Sequence, residues 1–366
     1  MNSKKIIIAG GGTGGHIFPA IAIANALKKI DSSIEILFVG AKGKMEMEKV
    51  PEAGYKIEGL DIAGLNRSSL IKNIGLPIKL IKSFFQVRRI INSFQPSAVI
   101  GVGGYSSFPV LKYAQQKNIP TFIHESNSFA GRANIMLGKN ATKIFVASDG
   151  MEKFFPAAKI MVTGNPVRAT IANSSVTREE GVQFFGLDPA KTTVLSIGGS
   201  LGAQSINTAI DNEIAAFAKN DLQLIWQTGK PYAARGAEVA VDNKNVWSNT
   251  FINKMEFAFA AADVVISRAG AMAIAELCVV KKPVVFVPYP FAAEDHQTVN
   301  AQNLVAKHAG IMIRDSEAKD KLVEAIVNLA KDEQSQSELK ENIGKLGVKN
   351  ADEVIARAIL ENMERR

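Results

Sequence analysis

The sequence has one cysteine, Cys278, in 366 residues. No internal disulfide and no cysteine-built metal site can form, and the expected compartment is the reducing cytoplasm. No apolar run reaches the roughly 18 to 20 residues of a membrane-spanning helix. The first strand pattern begins at Lys5, so no signal peptide is expected. Acidic residues are missing over a long window. Residues 62–124 hold no Asp or Glu but carry Arg67, Lys72, Lys79, Lys82, Arg88, Arg89, Lys112 and Lys117. Those eight cations equal the whole net charge of +8. A local basic field of this kind suits an anionic surface or substrate, and a solvated basic face is the plainer alternative.

What is present describes a globular protein: 47% of residues are hydrophobic and 21% charged, and the length suggests two domains. The apolar run Lys5-Ile6-Ile7-Ile8-Ala9 reads as a buried strand. Gly10-Gly11-Gly12-Thr13-Gly14-Gly15-His16 follows, and a helical pattern starts at Ile17. Strand, glycine turn and helix open a doubly wound α/β domain, in which backbone N–H groups and a helix N-terminus can face an anion. The spacing is not a dinucleotide fingerprint, because His16 stands where a small residue is expected. No Walker lysine and hydroxyl follow either.

Further strands are expected at residues 34–39, 97–102, 120–124 and 143–147, each followed by a helical pattern or a glycine turn. Thr163-Gly164-Asn165-Pro166-Val167-Arg168 reads as a hinge. The pattern then restarts with a strand at 193–197 and the turn Gly198-Gly199-Ser200-Leu201-Gly202-Ala203. Strands at 222–227, 264–267 and 283–288 and charged helices at 319–330 and 350–366 complete it. The expected fold is α/β: two doubly wound, Rossmann-like domains facing across a cleft, with ligands at the carboxyl ends of the strands. The expected domains are 1–163, completed by the C-terminal helix 345–366, and 164–344.

Within the stretch 70–91, with Pro77 as an early helical position, the following helix has two apolar stripes. One is Ile78, Ile81 and Phe85; the other is Leu76, Leu80, Phe84, Val87 and Ile91. One stripe is enough to hold a surface helix to its domain. The second, beside Lys72, Lys79, Lys82 and Arg89, suits an anionic membrane surface. A helix buried on two sides is the alternative.

The motifs GGTGGH (Gly11–His16), GGYSS (Gly103–Ser107), HE-x-N (His124–Asn127), TGNPVR (Thr163–Arg168), GGSLGA (Gly198–Ala203), SRAGA-x-x-x-x-E (Ser267–Glu276) and EDHQT-x-NA (Glu294–Ala301) occur in this order. Together they resemble the family of N-acetylglucosaminyltransferases that act on lipid I in peptidoglycan synthesis, two-domain glycosyltransferases of the GT-B architecture. The resemblance runs from residue 5 to about residue 360. It departs at Ser126, where Gln is usual, at Ala130, where Pro is common, and at Ala273, where a Thr hydroxyl is lost. Altered affinity is the expected result of the last change, because backbone N–H groups and the helix end remain.

The resemblance implies that Ile252 contacts uracil through its backbone and that Glu276 binds the ribose hydroxyls. It places Arg168 and Ser200 on the diphosphate, Ala271 and Met272 in the same turn, and Gln297 on the sugar. Thr13, Gly14, Gly15 and Asn127 would close on the donor from the N-terminal side. The implied reaction is a single inverting displacement. The 4-hydroxyl of the muramyl sugar of lipid I attacks UDP-N-acetylglucosamine, giving lipid II and UDP on the cytoplasmic face of the cell membrane. A helix end and an arginine suit the growing diphosphate charge. The sequence has no Asp-x-Asp pair, and neither a metal nor a cofactor is expected.

His16 is the first choice for the base and Glu125 the second. Tyr105 would position the acceptor, and His124 reads as structural. Another lipid-directed enzyme of this architecture, such as a diacylglycerol glycosyltransferase, is the nearest alternative. A non-catalytic sugar-nucleotide sensor is the other. A nucleic-acid partner is not expected, because the basic window carries no recognisable reading motif.

Overall fold

Ile6, Ile7 and Ile8 have no solvent exposure at all. A run that is apolar on both faces belongs in a parallel sheet covered by helices on both sides. The computed structural model describes residues 4–62, 76–199 and 201–364 and places the run in the interior of such a sheet, paired on both sides. Its strands are β1 (Lys5–Ala9), β2 (Glu35–Ala41), β3 (Lys56–Leu60), β4 (Ala98–Gly101), β5 (Thr121–Glu125), β6 (Lys143–Val146) and β7 (Ile160–Val162). All pair in parallel, in the order β3-β2-β1-β4-β5-β6-β7.

The helices between these strands include α1 (Gly14–Ile30), α2 (Glu46–Glu52), α3 (Leu76–Phe94), α4 (Ser107–Gln116) and α5 (Arg132–Gly138). Successive side chains of a strand point to opposite faces. Ile6 and Ile8 therefore join one core with Ile17, Ile23 and Leu27 of α1. The same core takes Ile355 and Ile359 of the C-terminal helix Ala351–Glu364. Ile7 and Ala9 join the opposite core with Val87 and Ile91 of α3, Leu111 of α4 and Leu137 of α5.

A second parallel sheet holds β8 (Thr192–Ile197), β9 (Leu222–Gln227), β10 (Val246–Asn249), β11 (Val264–Ser267), β12 (Val284–Phe286) and β13 (Ile311–Met312). Its order is β10-β9-β8-β11-β12-β13. Trp226 is its largest fully buried side chain, and Nε1 donates to Asn207 Oδ1 at 2.9 Å. The chain divides into two units, residues 1–168 with 348–366 and residues 169–347.

Both sheets reverse their strand order next to their first strand, between β1 and β4 and between β8 and β11. The loops that leave a sheet at such a switch point form its ligand crevice. Here the two loops of each pair are bonded together. Gly11 N–H donates to Gly103 O at 3.2 Å and Val102 N–H to Ala9 O at 3.0 Å in the first unit. Arg268 N–H donates to Ile197 O at 3.3 Å in the second.

The structure differs from the sequence reading in three respects. β3, β7, β10 and β13, which the apolar pattern does not reveal, are the edges of the two sheets. α1 begins at Gly14 rather than Ile17, so His16 lies inside the first turn. The first unit also runs to Arg168, because the segment after β7 stays on its sheet. Thr163 N–H donates to Val146 O at 3.0 Å, Asn165 Nδ2 donates to Ser126 O at 3.0 Å, and Gly164, at φ +74°, packs on Val348. Lys72 and Ser200 lie outside the described residues, as do the side chains of Leu76 and Lys79.

Ile359 is fully buried where the C-terminal helix closes the core over α1. Ile359→Ala should lower the unfolding free energy by about 2–5 kcal/mol, the range for a large-to-small core change. A urea titration measures it. A wild-type midpoint would show that this helix does not complete the first unit.

Candidate functional site

The first unit gathers its chemistry at the β1/β4 switch point. Gly104 leaves no room for a side chain, since a Cβ there would stand 2.4 Å from Gly11 O. Gly12, at φ +89°, takes the left-handed turn that favours glycine. Thr13 is the N-cap of α1, and its carbonyl accepts His16 N–H at 3.1 Å and Ile17 N–H at 3.2 Å. Gly14 and Gly15 N–H have no acceptor within the helix, and no acid sits in its first turn. This is the arrangement that receives an anion.

His16 Nδ1 lies 3.1 Å from Gly11 O and 3.4 Å from Thr13 Oγ1. A carbonyl oxygen only accepts, so Nδ1 carries the hydrogen, and in the neutral ring Nε2 holds the lone pair. The Nε2 edge rests against Gly103, where a Cβ would come within 2.7 Å of it. Tyr105, two residues on, is 55% exposed. The structure thus brings His16 and the loop that carries Tyr105 to one place.

Glu125 and Asn127 are also near, but their side chains are committed to each other. Glu125 ends β5 and is buried. Oε1 accepts from Asn127 N–H at 3.1 Å and from Asn127 Nδ2 at 3.4 Å. Oε2 accepts from Gly131 N–H at 3.1 Å and Asn134 Nδ2 at 2.8 Å. The carboxylate therefore organises the turn into α5. Ala130, inside that turn, is fully buried. His124 lies beneath the site, wholly buried. Neither of its ring nitrogens has a partner of good hydrogen-bond geometry among the described residues, and Asn165 and the Gly164 backbone are the polar groups against it. Burial, with the His16 imidazole nearby, pushes the His124 ring down from its ordinary 6.5 to about 4.

Sequence reasoning does not reveal Glu46. This first residue of α2 is 1% exposed, and its carboxylate accepts from Gly12 N–H at 2.8 Å and Ala41 N–H at 3.0 Å. Both donors are backbone groups, so no side-chain motif marks the contact. Arg168 closes the unit with its guanidinium 6.0 Å from the centre of the Phe18 ring on α1.

In the second unit, the SRAGA turn leads into the helix Ala271–Val280. Gly270 is its N-cap without any side-chain cap bond, so the N–H groups of Ala271 and Met272 open the helix. Ala273 stands in this first turn, and Glu276, one turn further, is buried. Arg268 braces the crevice itself. It donates to Val287 O at 3.0 Å, to Pro288 O at 3.1 Å and to Ser205 Oγ at 3.1 Å, and it pairs with Asp315. Gln297, in helix His296–Val305, accepts Tyr289 N–H at 2.9 Å through Oε1. Ile252 is buried, and its N–H donates to Gln227 Oε1 at 3.0 Å, while Gln227 Nε2 donates to Gly199 O at 3.0 Å. The Ile252 backbone can therefore address a base only through its carbonyl.

The basic helix α3 divides its stripes differently from the expectation. Val87 and Ile91 are buried with Ser83 and Ile90, and Phe84, on the same side, is half-buried. The exposed apolar residues are Leu80, Ile81 and Phe85, at 39%, 58% and 68%. Phe84 thus belongs to the face that seats the helix, because it follows Val87 and Ile91 around the turn. Lys82, Arg88 and Arg89 are exposed. Among the described residues, no helix is long and apolar enough to cross a membrane.

A two-unit α/β protein with glycine turns and helix ends at both switch points is built as a GT-B glycosyltransferase. The two domains of glycosyltransferase family 28 match, the N-terminal domain over residues 6–146 and the C-terminal domain over residues 193–355. A UDP-N-acetylglucosamine--N-acetylmuramyl-(pentapeptide) pyrophosphoryl-undecaprenol N-acetylglucosamine transferase of Phocaeicola vulgatus is 49% identical over 98% of this chain and 96% of its own. The enzyme of the same name from Parabacteroides distasonis is 47% identical over 100% of both chains. The crystal structure of Acinetobacter baumannii MurG superposes with a TM-score of 0.79 at 27% identity, covering 98% of this chain and 99% of that one. The chain belongs to this family of peptidoglycan N-acetylglucosaminyltransferases.

The buried imidazole has a stability consequence. Below about pH 6.5 the unfolded chain protonates His124, while the folded chain resists until about pH 4. Stability from this group is therefore complete above pH 6.5 and is lost as pH falls toward 4. His124→Phe should flatten the pH dependence of unfolding in that window by about 3 kcal/mol. Denaturant titrations of both proteins at several pH values measure it, and parallel curves would place the ring's proton elsewhere.

Proposed function

We propose that the chain carries out its family's reaction by a single inverting displacement with His16 as the general base. N-acetylglucosamine passes from UDP-N-acetylglucosamine to the 4-hydroxyl of the muramyl sugar of lipid I, giving lipid II and UDP. The observation that supports this reading is the contact of His16 Nδ1 with Gly11 O, which holds the ring at the switch-point turn against Gly103, beside the Tyr105 loop. Nε2 takes the proton as the acceptor oxygen closes on the anomeric carbon, and UDP leaves from the opposite side. Tyr105 positions the acceptor. Glu125, with its oxygens already engaged by four donors, orders the turn bearing Asn127 and does not act as the base.

The first unit serves the acceptor and the second the donor. In the second unit, the helix start at Ala271 and Met272 supports the diphosphate, and the family resemblance gives Ser200 and Arg168 the same role. Glu276 holds the ribose, the Ile252 carbonyl holds uracil and Gln297 holds the sugar. In the first unit, the family resemblance gives Thr13, Gly14, Gly15 and Asn127 a role in holding the donor. The growing negative charge on UDP is met by helix-end N–H groups and a cation.

The same reading places the protein peripherally on the cytoplasmic face of the membrane. Leu80, Ile81 and Phe85 enter the lipid boundary, and Lys82, Arg88 and Arg89 meet anionic headgroups.

His16→Ala should lower turnover by roughly 10²- to 10⁴-fold, the scale of general-base loss. Titration with UDP-N-acetylglucosamine should show donor binding little changed. Wild-type turnover would remove His16 from the mechanism. Ile81→Glu combined with Phe85→Glu should abolish co-sedimentation with anionic vesicles and leave the melting temperature unchanged. Undiminished sedimentation would place the membrane face elsewhere.

A further inference from the structure

We infer that Glu46 is the positioning residue for His16 and acts through the single peptide group that joins Gly11 to Gly12. This inference rests on the reading of His16 as the base. The peptide group has two ends, and both are bonded. On one side Gly12 N–H donates to Glu46 Oε2 at 2.8 Å, and on the other Gly11 O faces His16 Nδ1 at 3.1 Å. The line runs from a buried carboxylate, through N–H and C=O of one planar amide, to the N–H of the imidazole.

This peptide needs such a hold. Glycine on both sides removes the Cβ contacts that would otherwise fix its orientation. If it rotated, Gly11 O would leave His16, and Nδ1 would lose the acceptor that selects the Nδ1–H tautomer. Glu46 prevents the rotation from a fixed position. Its other oxygen accepts Ala41 N–H at 3.0 Å, at the end of β2. Its carboxyl group is wedged between two glycines: a Cβ on Gly11 would lie 2.3 Å from Glu46 Cδ, and one on Gly40 would lie 2.5 Å from Cγ.

The chemistry favours a carboxylate here. A charged acceptor forms a stronger bond to an amide N–H than a neutral one. It also polarises the amide, which makes Gly11 O a better acceptor for the imidazole N–H. A carboxylate hydrogen-bonded directly to a catalytic histidine fixes tautomer and orientation in the same way. In this chain one backbone amide stands between the two.

The test uses full-length protein labelled with ¹⁵N at histidine, of which there are 4. The ¹⁵N shifts of the His16 ring distinguish the two tautomers, and His16→Ala identifies its signals. The wild type should show the Nδ1–H form at neutral pH, and an Nε2–H form overturns the inference without any variant. In Glu46→Gln, one amide end must face a backbone N–H donor, so the hold weakens. In Glu46→Asp the carboxylate is withdrawn by one methylene. Both variants should shift the His16 ring toward the Nε2–H form. Both should also lower kcat by roughly 10- to 100-fold, the usual cost of losing an outer partner of a functional histidine, with KM for UDP-N-acetylglucosamine little changed.

Unchanged ring shifts in both variants overturn the inference, whatever turnover does. Shifted ring signals with wild-type kcat uphold the positioning of the ring by Glu46 and overturn the reading of His16 as the base.

Discussion

The N–H of Gly11 reaches the carbonyl of Gly103 across the switch point of the first sheet, and the first unit's site depends on that approach. A Cβ on Gly104 would stand 2.4 Å from Gly11 O and one on Gly10 2.5 Å from Gly103 O, so neither loop has room for a side chain there. The same closeness brings the His16 ring against Gly103 and sets the direction of the first turn of α1. The loop is therefore less a flexible glycine tether than a backbone joint with bonds on several sides. If His16 is the base proposed above, its place on such a joint means that it needs little rearrangement when substrate arrives.

The second unit solves the related problem with other residues. Gly202 and Gly229 face each other without side chains, again with room for nothing larger. Arg268 then ties the ends of its crevice to Ser205, Asp315 and two strand-end carbonyls. The arginine of the SRAGA motif is thus a brace, while the neighbouring Ala271 and Met272 stand in the first turn of a helix without a side-chain cap. Each unit separates a rigid support from the groups that can meet a ligand.

Much of this was legible in the sequence, for a physical reason. The interior strands are covered on both faces, so their composition is continuously apolar, as in Ile6-Ile7-Ile8. The edge strands are short and mixed in polarity. β3 reads Lys-Ile-Glu-Gly-Leu, and β13 has only two residues, so no period emerges. The period of α3 is equally plain, but periodicity does not say which stripe turns inward. That depends on what the fold supplies beneath Phe84, Val87 and Ile91. Glu46 is hidden for another reason: its partners are amides, which every residue but proline has. The donors that occupy Glu125 come from the turn after it, so its chemical type was visible while its engagement was not.

Gln227 has a consequence for the choice of nucleotide. Its amide spans the Gly199 carbonyl and the Ile252 N–H, so the polarity of that strand end is set before any ligand arrives. On the proposed reading, the base meets a bare acceptor, the Ile252 carbonyl. Uracil offers a proton at N3 and is welcomed there. Cytosine offers a lone pair at the same atom and would set acceptor against acceptor in a buried place. A mismatch of that kind costs more than a merely missing bond. One glutamine, which touches no ligand on this reading, would thereby make the pocket a reader of pyrimidine protonation.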